Sequence, residues 1–368
     1  MNDTVKIDDS LKYNKGRGAL SNVTNRFESL VIKTDAEFIH DDESSKPVTQ
    51  LIEDHSKSII SFNDSPDIPF EQSINPYRGC EHGCVYCYAR PSHAYLGLSP
   101  GLDFETKILI KPNAPELLKR YLSRNKYKCR PIAFGTNTDA YQPVEKKLRV
   151  MRQLLELLYQ HRHPLTIVTK SALICRDLDL LSEMAKDNLC RVAVSVTSLD
   201  SNLSNKLEPR AAAPQSRIRT INTLSQAKVP VMIMMAPVIP FLNDSEIESI
   251  LKAVADAGAV KAGYILLRLP HEVKDLFRQW LDVHAPLKAN HIMSLIKQSR
   301  GGKDYDNRYG YRMRGTGEYA QLISRRFSLA KRKYGLRAKL EPMNTNLFIK
   351  PNAANPAQMS LWPNSQEI

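Results

Sequence analysis

From about residue 70 onward, short apolar runs alternate with amphipathic helical patterns six times in succession. The runs predict strands at 72–77, 131–136, 165–169, 190–197, 231–236 and 262–267. A further strand-like run is predicted at 104–111, and the helix after the second strand at about 144–160. Strands that alternate with helices indicate a parallel sheet covered by helices. Six such units fit a partial (β/α)6 barrel of the TIM type, so the predicted fold class is α/β. A doubly wound open sheet is the alternative.

Composition changes on either side of this array predict three regions. Residues 1–69 are polar, with acidic clusters and few apolar anchors, and are predicted to form an N-terminal arm. Residues 70–300 are predicted to form the barrel, and residues 301–368 a basic C-terminal extension with a helix at 318–334. Within the arm, the segment 15–19 (KGRGA) is either a piece that packs at a specific place or an ordinary glycine-rich turn.

Three cysteines stand in one short loop directly after the first predicted strand. Cys80, Cys84 and Cys87 are separated by three and then by two residues. The active site of a barrel of this kind lies at the carboxyl ends of its strands, where this loop is expected. Three thiolates suit a [4Fe–4S] cluster with one open iron, whereas a structural zinc ion takes four ligands. The alternatives are three unliganded thiols and a zinc site completed by His82 or His93.

The cysteine spacing, with an aromatic residue (Tyr86) before the last cysteine, resembles that of the radical S-adenosylmethionine (SAM) superfamily. The pattern over roughly residues 70–300 is similar to the spore photoproduct lyase or DNA-repair photolyase-like group. The resemblance implies a [4Fe–4S] cluster on the three cysteines and SAM at its open iron. It also implies that an electron from the cluster cleaves SAM to a 5′-deoxyadenosyl radical, which abstracts hydrogen from a substrate. Reduced flavodoxin or ferredoxin is then the expected electron donor.

Polar residues at the ends of the following strands are the candidate SAM ligands. The resemblance implies that Thr138 and Asp139, after the second strand, contact the SAM amino group. Lys170, at the end of the third strand, can pair with the SAM carboxylate. The two-residue alternation of the fourth strand turns Ser195 and Thr197 towards the lumen, where hydroxyls can bind a ribose or a carboxylate. A strand that simply needs small inward side chains is the alternative explanation for this pair.

Arg268 and Cys175 complete the candidate site. Arg268 lies near the end of the sixth strand, where an unpaired buried charge is costly, so we expect it to contact the substrate or SAM. Spore photoproduct lyase uses a cysteine as hydrogen donor in the second-strand loop. The corresponding residue here is Thr136, which departs from that pattern. Cys175 is the other cysteine expected on this face and is the candidate catalytic thiol, with an ordinary buried thiol as the alternative.

The charge balance bears on the partners. The net charge is +13, and the excess of Lys and Arg is concentrated towards the C-terminus. A nucleic-acid substrate is therefore the leading hypothesis, although a solvated basic helix packed on the barrel fits the pattern equally well. The alternative functions are a radical SAM enzyme that acts on a peptide or small metabolite, and a non-enzymatic iron–sulfur electron carrier or zinc-binding module.

Cysteine usage and hydropathy bear on the compartment. No apolar run reaches the length that spans a membrane, so no membrane partner is expected. Six cysteines, three of them in one loop, favour a reducing cytoplasm over a disulfide framework. We therefore expect a cytoplasmic protein. The pattern indicates no particular oligomeric state.

Overall fold

A computed structural model describes residues 16–27 and 47–351 of the 368-residue chain. In chain order the strands are β1 (Gln50–Glu53), β2 (Ile60–Phe62), β3 (Gln72–Ile74), β4 (Tyr77–Arg78), β5 (Lys107–Ile110), β6 (Ile132–Phe134), β7 (Leu165–Thr169), β8 (Cys190–Ser195), β9 (Val231–Val238) and β10 (Lys261–Leu266). The helices are α1 (Asp103–Thr106), α2 (Ala114–Leu122), α3 (Glu145–Leu148), α4 (Val150–Gln160), α5 (Leu178–Lys186), α6 (Ser201–Leu207), α7 (Pro214–Gln226), α8 (Ile247–Asp256), α9 (Val273–His284), α10 (Pro286–Gln298) and α11 (Gly317–Lys333).

The main sheet has the strand order β10-β9-β8-β7-β6-β3, with β2 added antiparallel on the outer edge of β3. The strands β3, β6, β7, β8, β9 and β10 are all parallel, and they lie side by side in the order in which these six occur along the chain. A doubly wound sheet reverses its order at a switch point, so this order excludes that alternative. The predicted α/β partial barrel is confirmed.

Helices cover the outer surface of this sheet with their apolar faces. Helix α4 is typical: Met151, Leu154, Leu155 and Leu158 are fully buried in the main core, as the helical period of the sequence predicts. Complete burial of one such side chain contributes about 1.5–3 kcal/mol. None of the helices in the described ranges is both long and apolar enough to cross a membrane.

The structure differs from the predicted elements near the first strand. The predicted strand 72–77 is divided, because Pro76 cannot donate a ladder hydrogen bond and separates β3 from β4. The predicted run 104–111 begins as the helical turn α1 and continues as β5, which joins β1 and β4 in a small second sheet. The predicted helix 144–160 is broken between α3 and α4, where Arg149 has φ +52°.

A second core packs beneath the cysteine-containing loop. Helices α9 and α10 contribute Phe277, Trp280 and Ile292, which cluster with Val85 and Tyr86 of that loop. The indole Nε1 of Trp280 donates a hydrogen bond to the Lys206 carbonyl at 2.9 Å. These helices therefore pack against the cysteine-containing loop.

The C-terminal region consists of a helix and an extended segment that pack at different places on the barrel. Helix α11 packs on α8 and β10, with the rings of Phe327 and Tyr264 4.7 Å apart. Residues 336–350 then cross the amino ends of the parallel strands, as three backbone bonds show: Ala338 N to Val260 O (3.1 Å), Asn344 N to Asn188 O (3.2 Å) and Ile349 N to His161 O (2.9 Å). We call residues 336–350 the strap. The basic last turn of α11 thus points towards the barrel end that the strap covers.

Candidate functional site

The cysteine loop, residues 79–88, follows β4 and lies at the carboxyl ends of the parallel strands. Cys80 and Cys84 are buried, Cys87 is half-buried, and all three thiols are free. Gly79 and Gly83 have φ of +82° and +66°, in the left-handed region that favours glycine. The loop can therefore fold tightly enough to direct three thiols into one buried space.

Two buried side chains hold the backbone of this loop. Gln142, after β6, accepts a hydrogen bond from the Glu81 amide at 2.8 Å and donates to the Gly79 carbonyl at 3.1 Å. Arg90 is fully buried and donates to the carbonyls of Gly83 (3.2 Å) and Cys84 (2.9 Å). Each buried backbone group that finds such a partner avoids a desolvation cost of about 1–3 kcal/mol.

Electrostatics at the three thiols favour a positively charged ligand. Burial raises the pKa of Cys80 well above its usual value, and the negative charges of Asp139, Cys84 and Cys87 raise it further. Burial also raises the pKa of Cys84, against the opposing effect of the Lys170 ammonium. Thiols in such a place become thiolates when metal ions bind and offset the charge.

The donor set fits an iron–sulfur cluster better than a zinc ion. His82 directs Nδ1 at the Asp139 carboxylate (3.3 Å), and His93 Nε2 contacts the Lys107 carbonyl (3.0 Å). Both imidazoles thus have partners other than the cysteines. In residues 16–27 and 47–351, no three Cys, His, Asp or Glu side chains converge on a single-ion site. The cysteines of a cluster bind separate irons and stand farther apart than the ligands of one ion.

Asp139 joins the cysteine loop to the end of β7. One carboxylate oxygen accepts from the Tyr141 amide (2.9 Å) and the Thr169 hydroxyl (2.8 Å), and the other accepts from the Lys170 amide (2.7 Å) and contacts His82. Burial alone would raise the pKa of Asp139. The His82 ring and the hydrogen bonds outweigh burial and lower the pKa to about 2. Because both oxygens have partners, Asp139 is a positioning group, and its contact with SAM stays a prediction.

Four more predicted SAM ligands lie near the cysteine loop. Thr138 donates its hydroxyl to the Tyr77 carbonyl at 2.8 Å. Lys170 Nζ lies 6.0 Å from the centroid of the Tyr86 ring, in the same loop as the cysteines. Ser195 and Thr197 are both buried. Val192, Val194 and Val196 on the other face of the strand are also buried, so the inward orientation of the two hydroxyls stays a prediction.

The structure adds a buried charge pair that the sequence analysis missed. Glu208, after α6, accepts hydrogen bonds from the Tyr86 hydroxyl, the Arg217 guanidinium and the Thr197 hydroxyl, the last at 2.7 Å. Arg217 also donates to the Ser195 carbonyl at 3.1 Å. This network fixes the aromatic residue of the cysteine loop against the end of β8.

Arg268 lies against the residue that follows the last cysteine. Its guanidinium is 5.0 Å from the centroid of the Tyr88 ring and donates to the Tyr305 hydroxyl at 3.1 Å. Tyr88 in turn donates its hydroxyl to the Thr136 carbonyl. The Arg268 Nε is buried without a hydrogen-bond partner among the described residues. Arg268 thus lies beside the cysteine loop with one donor still available, and its contact with the substrate or SAM stays a prediction.

Cys175 is half-buried, and its segment packs against α7. It belongs to a short 3-10 helix, Ala172–Asp177, and its thiol bonds to the Thr220 side chain of α7. Burial raises the pKa of this thiol, which disfavours the reactive thiolate. Its position in the helical layer favours the alternative of an ordinary buried thiol.

Comparisons with known proteins agree with this arrangement. Residues 74–254 match the family model described as "Radical SAM superfamily". An uncharacterized protein of Mycobacterium tuberculosis is 37% identical over 216 residues, which cover 58% of this chain and 64% of the relative. An uncharacterized protein of Methanocaldococcus jannaschii is 31% identical over 173 residues, covering 47% and 62%. The chain therefore spans somewhat less than two thirds of the length of these relatives.

The fold also resembles a solved structure. A mutant of spore photoproduct lyase with bound AdoMet and dinucleoside spore photoproduct superposes with a TM-score of 0.56 at 16% sequence identity, covering 77% of this chain and 78% of that chain. At this identity the likeness concerns the fold. Together with the matched segment 74–254, which contains the cysteine loop and the ends of β3 and β6–β9, it leads to one conclusion. The chain carries a Radical SAM superfamily domain.

Proposed function

We propose that this protein is a radical SAM enzyme whose [4Fe–4S] cluster is held by Cys80, Cys84 and Cys87. The observation that carries the proposal is three free thiols, two of them buried, in one glycine-containing loop at the carboxyl ends of parallel strands. When bound, the cluster supplies the electron that cleaves SAM into methionine and a 5′-deoxyadenosyl radical. A solved spore photoproduct lyase with bound AdoMet supports the same cofactor here.

The chain's own residues position SAM and exclude water. The Lys170 ammonium is the group that pairs with the SAM carboxylate, because it lies beside the cysteine loop and its side chain is only partly buried. Thr138 and Ser195 supply hydroxyls at the ends of β6 and β8. The Glu208–Arg217 network keeps the Tyr86 ring in place next to the cysteines.

The test is SAM cleavage by anaerobically reconstituted protein under a strong reductant. We expect 5′-deoxyadenosine and methionine from the parent protein and neither product from a variant with Cys80, Cys84 and Cys87 all changed to Ala. Cys129→Ala is the matched control, because Cys129 precedes β6 at the other end of the barrel. A parent protein that binds zinc but no iron or sulfide would refute the proposal.

A loaded cluster without SAM cleavage would leave two explanations. Cleavage then either requires the substrate, or the protein is an electron carrier. The EPR spectrum of the reduced cluster distinguishes them, because SAM bound at the open iron changes the spectrum and an electron carrier shows no change.

For the substrate we propose a nucleic acid, on the basis of an exposed group of arginines and tyrosines beside the site. The guanidinium groups of Arg308 and Arg312 lie 4.8 and 4.6 Å from the ring centroids of Tyr311 and Tyr309. Each also pairs with a carboxylate, Arg308 with Asp306 and Arg312 with Asp67, both at 2.7 Å. Buried Arg300 donates to the carbonyls of residues 311 and 312 and of residues 266 and 267, which ties this segment to the end of β10. Exposed rings with basic groups can stack bases and contact phosphates. We call this group, with Arg268 and Tyr305, the Arg–Tyr surface.

Binding of fluorescent single-stranded DNA and RNA, measured by anisotropy, tests this substrate class. Tyr309→Ala should weaken binding about tenfold, since stacking of one base on an aromatic ring contributes about 1–3 kcal/mol. Tyr159→Ala, another exposed tyrosine, is the control on the outer face of α4. Binding that is insensitive to salt and to Tyr309→Ala would favour the alternative of a peptide or small-metabolite substrate.

A further inference from the structure

The N-terminal segment 16–19 packs directly on the outside of the cysteine loop. Arg17 is buried and donates to three groups: the carbonyls of Glu105 (2.8 Å) and Pro47 (2.6 Å) and the Thr49 hydroxyl (3.2 Å). Of the two alternatives for this segment, the structure thus favours packing at a specific place over an ordinary glycine-rich turn. The segment comes from outside the region that the family model matches.

The contact between this segment and the loop leaves no space for a side chain. A Cβ added at Gly18 would lie 1.7 Å from the Gly83 carbonyl oxygen, where the obstacle is backbone. A Cβ at Gly16, two residues earlier, would meet no atom within 4 Å. The close approach is therefore specific to Gly18, and it faces the loop between Cys80 and Cys84.

A fully buried carboxylate joins the two segments. Glu105, in α1, accepts hydrogen bonds from the amides of Gly18 (3.0 Å) and Ala19 (2.8 Å). The same carboxylate accepts from Arg90 at 2.5 Å, and Arg90 holds the carbonyls of Gly83 and Cys84. One chain of contacts thus runs from the N-terminal segment through Glu105 and Arg90 to the backbone of a cluster cysteine.

We propose that residues 16–19 form the outer wall of the cluster pocket and that Glu105 is the residue that positions the cysteine loop against this wall. The inference rests on the proposed function, because it assigns the wall to a [4Fe–4S] cluster. Glu105 acts through Arg90 and the Gly18 amide. Groups that hold metal ligands in place typically change metal affinity about 10–100-fold when they are altered.

The test compares cluster retention in full-length, anaerobically reconstituted variants. Gly18→Ala and Glu105→Gln should lose iron to a chelator at least about tenfold faster than the parent, and the midpoint potential of the cluster should shift. Gly335→Ala is the control: this glycine follows α11 at the opposite end of the barrel, and an added Cβ meets no atom within 4 Å. This variant should lose iron at the parent rate and keep the parent potential. Circular dichroism and thermal unfolding of each variant report whether the fold is kept.

If Gly18→Ala does not fold, Arg17→Gln replaces it, because that change removes the contacts of the segment without a backbone clash. Variants that fold and retain iron with the parent's rate and potential would overturn the assignment of the wall. A parent protein that binds no iron–sulfur cluster would overturn the proposed function instead, so the two failures are distinguishable.

Discussion

At the scale of single residues, the buried ion pair of Glu208 and Arg217 beside the cysteine loop is expected to be important for stability. Glu208 and Arg217 are both almost fully buried and paired. Glu208→Gln leaves the Arg217 charge without its counterion, and breaking a buried pair in this way costs about 3–5 kcal/mol. We expect a decrease of that size in the free energy of unfolding, measured by urea denaturation.

The control for this change is an exposed ion pair. Glu183 and Lys186 lie on α5 with their side chains about half exposed or more, and exposed pairs contribute about 0–1 kcal/mol. Glu183→Gln should therefore have little effect in the same measurement. Equal losses for the two variants would contradict the role assigned to the Glu208–Arg217 pair.

Single residues were predictable from the sequence where their chemistry is unusual. Three closely spaced cysteines indicate a metal site before any contact is known. Glu105 carries no such signal, because its partner amides are 86 and 87 residues away in sequence. Only the Gly-Arg-Gly sequence at residues 16–18 suggested that the N-terminal segment packs at a specific place. This pattern could not identify Glu105 as its partner.

Among the secondary-structure elements, the end of β6 is held unusually close to β7. Gly135 follows β6 with φ +75°, and an added Cβ would lie 2.0 Å from the Val168 carbonyl oxygen. Gly135→Ala should therefore separate these strand ends just before the Thr138–Asp139 loop. We expect a lower thermal midpoint of unfolding and weaker SAM binding in calorimetry.

Gly97→Ala isolates the cost of the backbone conformation alone. Gly97 has φ +69°, but an added Cβ meets no atom within 4 Å. A non-glycine residue in the left-handed region costs about 1–2 kcal/mol. Gly135→Ala should lower the stability by more than this cost and should reduce SAM binding. Gly97→Ala should leave SAM binding intact. The same loss for both would show that the strand contact is unimportant.

Six strands of the main sheet were predictable, since buried apolar runs of four to eight residues are a local signal. The features that the prediction missed are the pairing of one strand and the break of one helix, neither of which has a local signal. Strand β5 pairs with β1 and β4 rather than with the main sheet. The break at Arg149 requires a left-handed arginine, which residue preferences do not predict.

On the scale of the whole molecule, the basic residues of the C-terminal region lie at both ends of the barrel. The Arg–Tyr surface adjoins the cysteine loop, whereas α11 turns its basic residues outwards and towards the strap. Arginines of both parts are paired with carboxylates: Arg326 on α11 with Glu248 of α8 at 2.6 Å, and Arg308 and Arg312 with Asp306 and Asp67 at 2.7 Å. The two parts therefore differ in their position relative to the site. The positive charge of the C-terminal region is thus divided between the two ends of the barrel. The proposed nucleic-acid substrate would meet the Arg–Tyr surface, which is the part near the site.

At the barrel end opposite the site, buried His163 beneath the strap is expected to make the stability of the protein depend on pH. His163 is fully buried, with Nε2 2.5 Å from the Tyr127 hydroxyl and its ring 5.3 Å from that of Phe348 in the strap. Burial lowers the pKa of His163 from 6.5 to about 4. Between these values the unfolded chain binds the proton and the folded chain does not, so stability is lost as the pH falls.

The full linkage effect for His163 is about 3 kcal/mol, present above pH 6.5 and lost by about pH 4. Urea unfolding of iron-free protein at pH 7 and pH 4 measures it. The free energy of unfolding should decrease by about 3 kcal/mol more in the parent than in His163→Gln, because the variant has no ring to protonate. Exposed His55→Gln should match the parent at both pH values. An equal decrease in the free energy of unfolding for the parent and His163→Gln would mean that other groups cause the loss of stability in acid.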